Sequence, residues 1–123
     1  MGKLQDFLME AQIGTTQTEV QIAPFPYPFV VKSITEAENK AIRKTCQKVE
    51  FDKKTRQKRI DTDTDLYNAR LVVACCVEPN FKDAALQEKY GVRGAEDLIN
   101  LILNPGQYTD LLLAVQEING FTD

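Results

Sequence analysis

The sequence contains no histidine, so the commonest general base near neutral pH is missing. No serine nucleophile elbow, phosphate loop or glycosidase-type carboxylate pair takes its place, and composition therefore points away from an enzyme. Also absent is any apolar run approaching the roughly 18 to 20 residues of a transmembrane helix. The N-terminal stretch MGKLQDFLMEAQ lacks the apolar core of a signal peptide, and Asp6 stands where a myristoylation pattern needs Ser or Thr. These absences lead to the expectation of a cytoplasmic protein with no membrane partner. Cysteine is sparse: Cys46, Cys75 and Cys76 make an odd number, and each falls in a segment with helical character. Neighbouring helix positions point about 100° apart, so a Cys75–Cys76 disulfide would be strained, and no CxxC spacing exists for zinc. The three read as small buried thiols, with no metal and no cofactor expected.

What is present fits one modest core. The chain has 123 residues, 43% hydrophobic and 27% charged, enough for one domain and too few for a second. Its net charge of −3 makes the surface as a whole repel nucleic acid and anionic lipid. We read residues 1–17 as a short amphipathic helix or arm built on Leu4, Phe7 and Leu8, 18–34 as a β-hairpin, and 35–121 as a helical body. The hairpin strands are placed at 19–23 and 29–34, with Pro24, Pro26 and Pro28 stiffening the connection. Thr35 and Glu38 form a capping box for a helix running to about Lys48. A second helix over DLYNARLVVACCV is apolar on every side from Leu71 onward, which suits a central position, and Pro79 stops it. Three more helices follow: one capped by Asp83 and ended at Gly91, one after Gly94, and one from Pro105 closed by Gly120. The expected fold class is α+β, mostly α, with about five helices packed around a central apolar helix and a small β-hairpin near the N-terminus.

Two motifs resemble binding sites. Asp61, Asp63 and Asp65 alternate as at the start of an EF-hand loop, but Leu66 occupies the obligatory glycine position and Val72 the position of the bidentate glutamate. Capping of the next helix by Asp63 or Thr64 explains these carboxylates better. Lys53, Lys54, Arg56, Lys58 and Arg59 crowd five cations into seven residues, yet no aromatic is interleaved and no nucleic-acid-binding signature surrounds them. A solvated loop or a second small hairpin accounts for them, and a nucleic-acid-binding regulator is a minor alternative.

The leucines of the last two helices are the feature left over. On the helix from Pro105, Leu111, Leu112, Val115 and Ile118 lie within roughly 120° of one another, a normal core face, and Leu113 falls about 100° outside it. On the preceding helix Leu98, Leu101 and Ile102 make a face with Leu103 on its far edge. Either both helices are wedged between neighbours, or Leu103, Leu113 and Phe121 line a groove for an apolar segment of another protein.

Three strings carry a family likeness. ITEAENKAIRKTC at 34–46, ACCVEPNFKDAALQEKYGVRGAEDLINLILNPGQY at 74–108 and VQEINGF at 115–121 resemble the XkdN-like phage tail assembly chaperones of phages and prophages of Gram-positive bacteria. The likeness runs in order over most of the chain and weakens over 52–62. It implies a non-enzymatic protein of the bacterial host cytoplasm that binds the tape measure protein, keeps it soluble while the tail tube assembles, and is absent from the mature virion. It further implies that tail tube subunits are recruited by a longer frameshifted form, of which this chain would be the short counterpart or a truncated one. A structural tail component retained in the particle is the alternative left open, and the resemblance supplies no catalytic or mapped binding residues.

Overall fold

The computed structural model describes residues 2–11 and 14–121; Gln12 and Ile13 of the expected N-terminal arm, Met1 and the last two residues lie outside the described residues. In chain order the elements are α1 (Lys3–Glu10), β1 (Gln17–Val20), β2 (Phe29–Lys32), α2 (Glu36–Thr45), β3 (Gln47–Phe51), β4 (Lys58–Thr62), α3 (Thr64–Cys75), β5 (Cys76–Glu78), α4 (Ala84–Lys89), α5 (Ala95–Ile102) and α6 (Pro105–Ile118).

The helix starts follow local chemistry. Thr35 Oγ1 accepts from the Glu38 amide at 3.2 Å while Glu38 reaches back to the Thr35 amide at 3.4 Å, and Asp63 and Asp83 accept from the Leu66 and Ala85 amides at 3.2 and 2.9 Å. Asp63 is thus a helix cap, and the Leu66 amide holds its carboxyl below the usual carboxylate range. Gly91 and Gly120 have φ of +69° and +80°, left-handed turns that close α4 and α6 without the cost a Cβ would add.

The mostly α expectation is corrected by the sheets. Helices take about half of the described residues, and the five strands form two antiparallel sheets spread through the chain. The N-terminal hairpin is present, β1 pairing β2 from Gln17↔Lys32 to Val20↔Phe29. A third strand, β5, joins it through Val30↔Glu78 and Val31↔Cys76 in the order β1-β2-β5. A short apolar run such as VACCV reads equally as helix or buried strand, and here the open edge of β2 decides. Val31 is fully buried, its backbone groups need partners, and the chain arriving at Cys76 supplies them. Pro79 reinforces the change, because a residue before proline favours extended backbone.

A second correction concerns the helix expected to reach Lys48. It ends at Thr45; Cys46 is buried behind it, and β3 leaves to pair with β4 from Gln47↔Thr62 to Phe51↔Lys58. The Asp63 amide donates to the Cys46 carbonyl at 2.8 Å and closes the base of this hairpin, and Arg70 Nη1 donates to the Thr45 carbonyl at 2.9 Å. The five-cation cluster is the hairpin's turn and the start of β4.

The core lies between one face of the three-stranded sheet and helices α3, α5 and α6. Val31, Leu71, Val72, Cys75, Phe81, Leu98, Ile99, Leu111 and Val115 are closed to solvent. Helix α3 packs against α2, α5, α6 and β5. Its Tyr67 hydroxyl donates to Asn39 Oδ1 of α2, and Asn39 Nδ2 donates to Glu36 at 2.9 Å, so the one buried polar residue among those described is fully engaged.

All three cysteines are buried and free. Burial pushes the Cys75 thiol up, opposed by the Asn119 Nδ2–H donated to its sulfur at 3.4 Å, and pushes Cys76 up to about 12. Unfolded cysteines ionise near 9.0 while these stay protonated when folded. Unfolding above that pH therefore releases protons, and stability present below pH 9 is lost as pH rises toward 12. Tyr67 and Tyr108, whose phenols are also raised by burial, act in the same sense. We expect the unfolding free energy from urea titration to hold from pH 7 to 9 and to fall above, by up to about 1.4 kcal/mol per pH unit for each thiol. Cys76→Ala should flatten that slope, and a wild-type slope already steep between pH 7 and 8 would contradict this assignment.

Candidate functional site

Helix α6 is held at both ends. Asn104 Oδ1 accepts from the Gln107 amide at 2.8 Å, the Gln107 side chain accepts from the Asn104 amide at 2.9 Å, and Gln107 Nε2 donates to the Ala23 carbonyl at 2.9 Å. At the far end Asn119 accepts the Ile34 amide at 2.8 Å and donates to the Val115 carbonyl at 2.8 Å. The helix therefore presents a rigid outer face. Leu111 and Val115 are turned into the core, and Asp110, Leu113 and Glu117 form the exposed stripe.

The three leading residues from the sequence separate. Leu113 is 56% exposed, flanked on the helix surface by two carboxylates. Phe121 is 47% exposed and borders a shallow depression of about 140 Å³ with Ile34, Asn39 and Asn119. Leu103, at 7% exposure, belongs to the core and is unavailable as a contact. The helical wheel misplaces it because Leu103 is the C-cap of α5, with extended φ of −100° and ψ of 137°, so its side chain leaves the helical progression. Leu101, assigned by the wheel to the buried side, is exposed instead. Leu113 and Phe121 are not brought into one pocket by any described cavity.

Two exposed apolar surfaces are additional to these. Val49, Phe51 and Ile60 lie on one face of the β3–β4 hairpin, Val49 opposite Ile60 and Phe51 opposite Lys58. The signal was the weak alternation of VEF and RID, which only becomes a face once the two strands are in register. Helix α1 exposes Leu4, Phe7 and Leu8 and buries no residue.

No group of three metal-ligating side chains occurs among the described residues, and no described helix is long and apolar enough to cross a membrane. None of Lys53, Lys54, Arg56, Lys58 and Arg59 lines a described cavity. Arg59 pairs with Asp61 on its own strand at 3.1 Å.

The string PNFKDAALQ has a structural explanation. Asn80 Oδ1 accepts the Lys82 amide at 3.0 Å, Phe81 plugs the core, Asp83 caps α4, and Gln87 donates to the Phe81 carbonyl at 2.8 Å while accepting the Gly94 amide at 3.1 Å. These residues build a corner between β5, α4 and α5.

Compared with known families, residues 4–123 match the sequence model of the phage XkdN-like tail assembly chaperone protein, TAC. The chain belongs to this family. Among its relatives is the uncharacterized protein YqbN of Bacillus subtilis (strain 168), 32% identical over 100 residues, which cover 78% of this chain and 64% of that protein. The match thus spans less than two thirds of the relative's length. The crystal structure of the protein YqbN superposes with a TM-score of 0.73 at 25% identity, over 94% of this chain and 95% of that one. Membership of a tail assembly chaperone family points to a non-enzymatic role with protein partners in tail assembly.

Proposed function

We propose that this tail assembly chaperone binds the tape measure protein and keeps it soluble in the cytoplasm of the bacterial host while the tail tube assembles, leaving before the virion is complete. The observation that carries the reading is the family match across residues 4–123. The exposed apolar side chains of Leu113 and Phe121, on a helix and turn held rigid from both ends, support it as the contact points. A longer frameshifted form would recruit tail tube subunits.

Magnitudes favour a weak, repeated contact. Burying two large apolar side chains returns roughly 3 to 6 kcal/mol gross at about 1.5 to 3 each. Association costs about 4 to 15 kcal/mol. A single copy therefore binds loosely, whereas many copies along one long chain hold it in solution and still come off as the tube closes around it.

Co-expression with the tape measure protein of the same phage tests this. The expected result is that the large protein becomes soluble and co-purifies with several copies of this chain, which is then missing from the proteome of purified particles. A tape measure protein that stays insoluble and unbound would remove the proposal, and recovery of this chain in finished particles would make it a structural tail component.

A further inference from the structure

Among the free sheet edges of the described residues, two stand out because they are opposite in charge. The β3–β4 hairpin is a sheet of two strands whose residues are all exposed except the half-buried Asp61, and its strands pack mainly on each other. A two-stranded hairpin is marginal in water and gains from a third strand or a helix against its apolar face. Between residues 47 and 62 stand Lys48, Lys53, Lys54, Arg56, Lys58 and Arg59 against Glu50, Asp52 and Asp61, so the hairpin is net +3 in a chain that is net −3. The second edge belongs to β1, one of the two outer strands of the β1-β2-β5 sheet. Along it runs a groove of about 560 Å³, lined by the consecutive residues 18–21 and by Ala114, Glu117 and Ile118 of α6. Consecutive strand residues line it, which places the groove at the strand's edge, since a sheet face would show alternate residues only. Its charged lining groups are Glu19 and Glu117, both exposed, and Val20, Ala114 and Ile118 supply its apolar lining.

We propose that the β3–β4 hairpin of one copy docks in the β1–α6 groove of a second copy, β4 adding to the free edge of β1. The hairpin gains a third strand, and Val49, Phe51 and Ile60 gain the cover of Ala114 and Ile118. Lys58 and the turn lysines meet Glu19 and Glu117. Charges along a strand edge also discourage indiscriminate pairing, but that role alone does not call for opposite signs on these two edges. Because each copy carries one hairpin and one groove, the contact is head-to-tail and builds a ring or an open row of copies. The inference is independent of the tape-measure reading and needs no phage partner.

Sedimentation velocity on the full chain tests it. Wild type is expected to associate as concentration rises toward millimolar and to dissociate as salt is raised, since the contact is between exposed charges. Glu19→Lys with Glu117→Lys, and separately Lys53→Glu with Lys58→Glu, should each weaken association by more than about tenfold through like-charge contact. An equimolar mixture of the two variants restores opposite charges at every junction and should associate again. Val49→Ser, at an exposed position, should give a loss without changing charge. All substituted residues are exposed, so circular dichroism should be unchanged. A wild type that remains monomeric at low salt, variants that associate like wild type, or a mixture that stays monomeric would each overturn the proposal.

Discussion

Leu113→Glu is expected to leave the melting temperature unchanged and to abolish retention of the tape measure protein. Leu113 is 56% exposed on a helix whose buried contacts are made by Leu111 and Val115, so the folded state loses little packing when it changes. Exposed substitutions of this kind usually stay within about 0.5 kcal/mol. Binding is affected far more strongly. The lost apolar contact is worth about 1.5 to 3 kcal/mol, and each 1.4 kcal/mol is about tenfold in affinity. The new carboxylate would sit between Asp110 and Glu117 at helical spacing, and the partner surface that had covered a leucine would have to solvate it. We expect a fall of about 10- to 100-fold per copy, enlarged when many copies act on one chain. Co-purification after co-expression, with a thermal melt of the variant alone, reads both quantities. Unchanged retention would remove α6 as the contact face, and a large drop in melting temperature would show that Leu113 is needed for packing.

Phe81→Ala is expected to be the most damaging single truncation for stability. The ring is fully buried in the core cluster. It stands in the short connection between β5 and α4, fixed by the Asn80 turn before it and by the Gln87 side chain on its carbonyl. That pinning limits collapse of the surroundings into the space left behind, which puts the cost at about 3 to 5 kcal/mol. Against a total stability of about 5 to 15 kcal/mol for a domain, much of the margin disappears. For a chain of this size the melting temperature should fall by about 10 to 25 °C. Differential scanning calorimetry checks it, and Phe81→Leu should lose less than half as much. A fall under about 5 °C would show that the corner relaxes to fill the cavity.

The residues that carry the family likeness divide between these two roles. Asn80, Phe81, Asp83 and Gln87 build the corner, and Asn119 with Gly120 ties the end of α6 to Ile34 and turns the chain. They hold α6 and the sheet in place. The surfaces we propose for other chains are Leu113 and the hairpin, both outside the three strings, and Phe121 at the end of the third.

What the sequence determined by itself was the punctuation and the class of protein. Thr35 with Glu38, Asp63, Asp83, Gly91, Pro105 and Gly120 act within four residues of the helix ends they set, through hydrogen bonds and backbone preferences that need no distant partner. The core face of α6 was legible for the same reason, since fourteen residues of regular helix keep the wheel in phase. Family strings placed the chain among tail assembly chaperones before any coordinate was needed. Tertiary structure decided what depends on residues far apart. Cys76 to Glu78 became a strand because Val30 and Val31, more than forty residues earlier, offered an edge with backbone groups to satisfy. The burial of Cys46 goes with the early end of α2, and residues 47–62 pair as a hairpin. Leu103 turned inward when its backbone left the helix, and Phe81 was drawn from a connecting segment into the centre. Local hydrogen bonds are a property of a few consecutive residues; the choice between helix and strand for a short apolar run, and between core and surface for a residue at a helix end, belongs to the neighbours that only folding brings near.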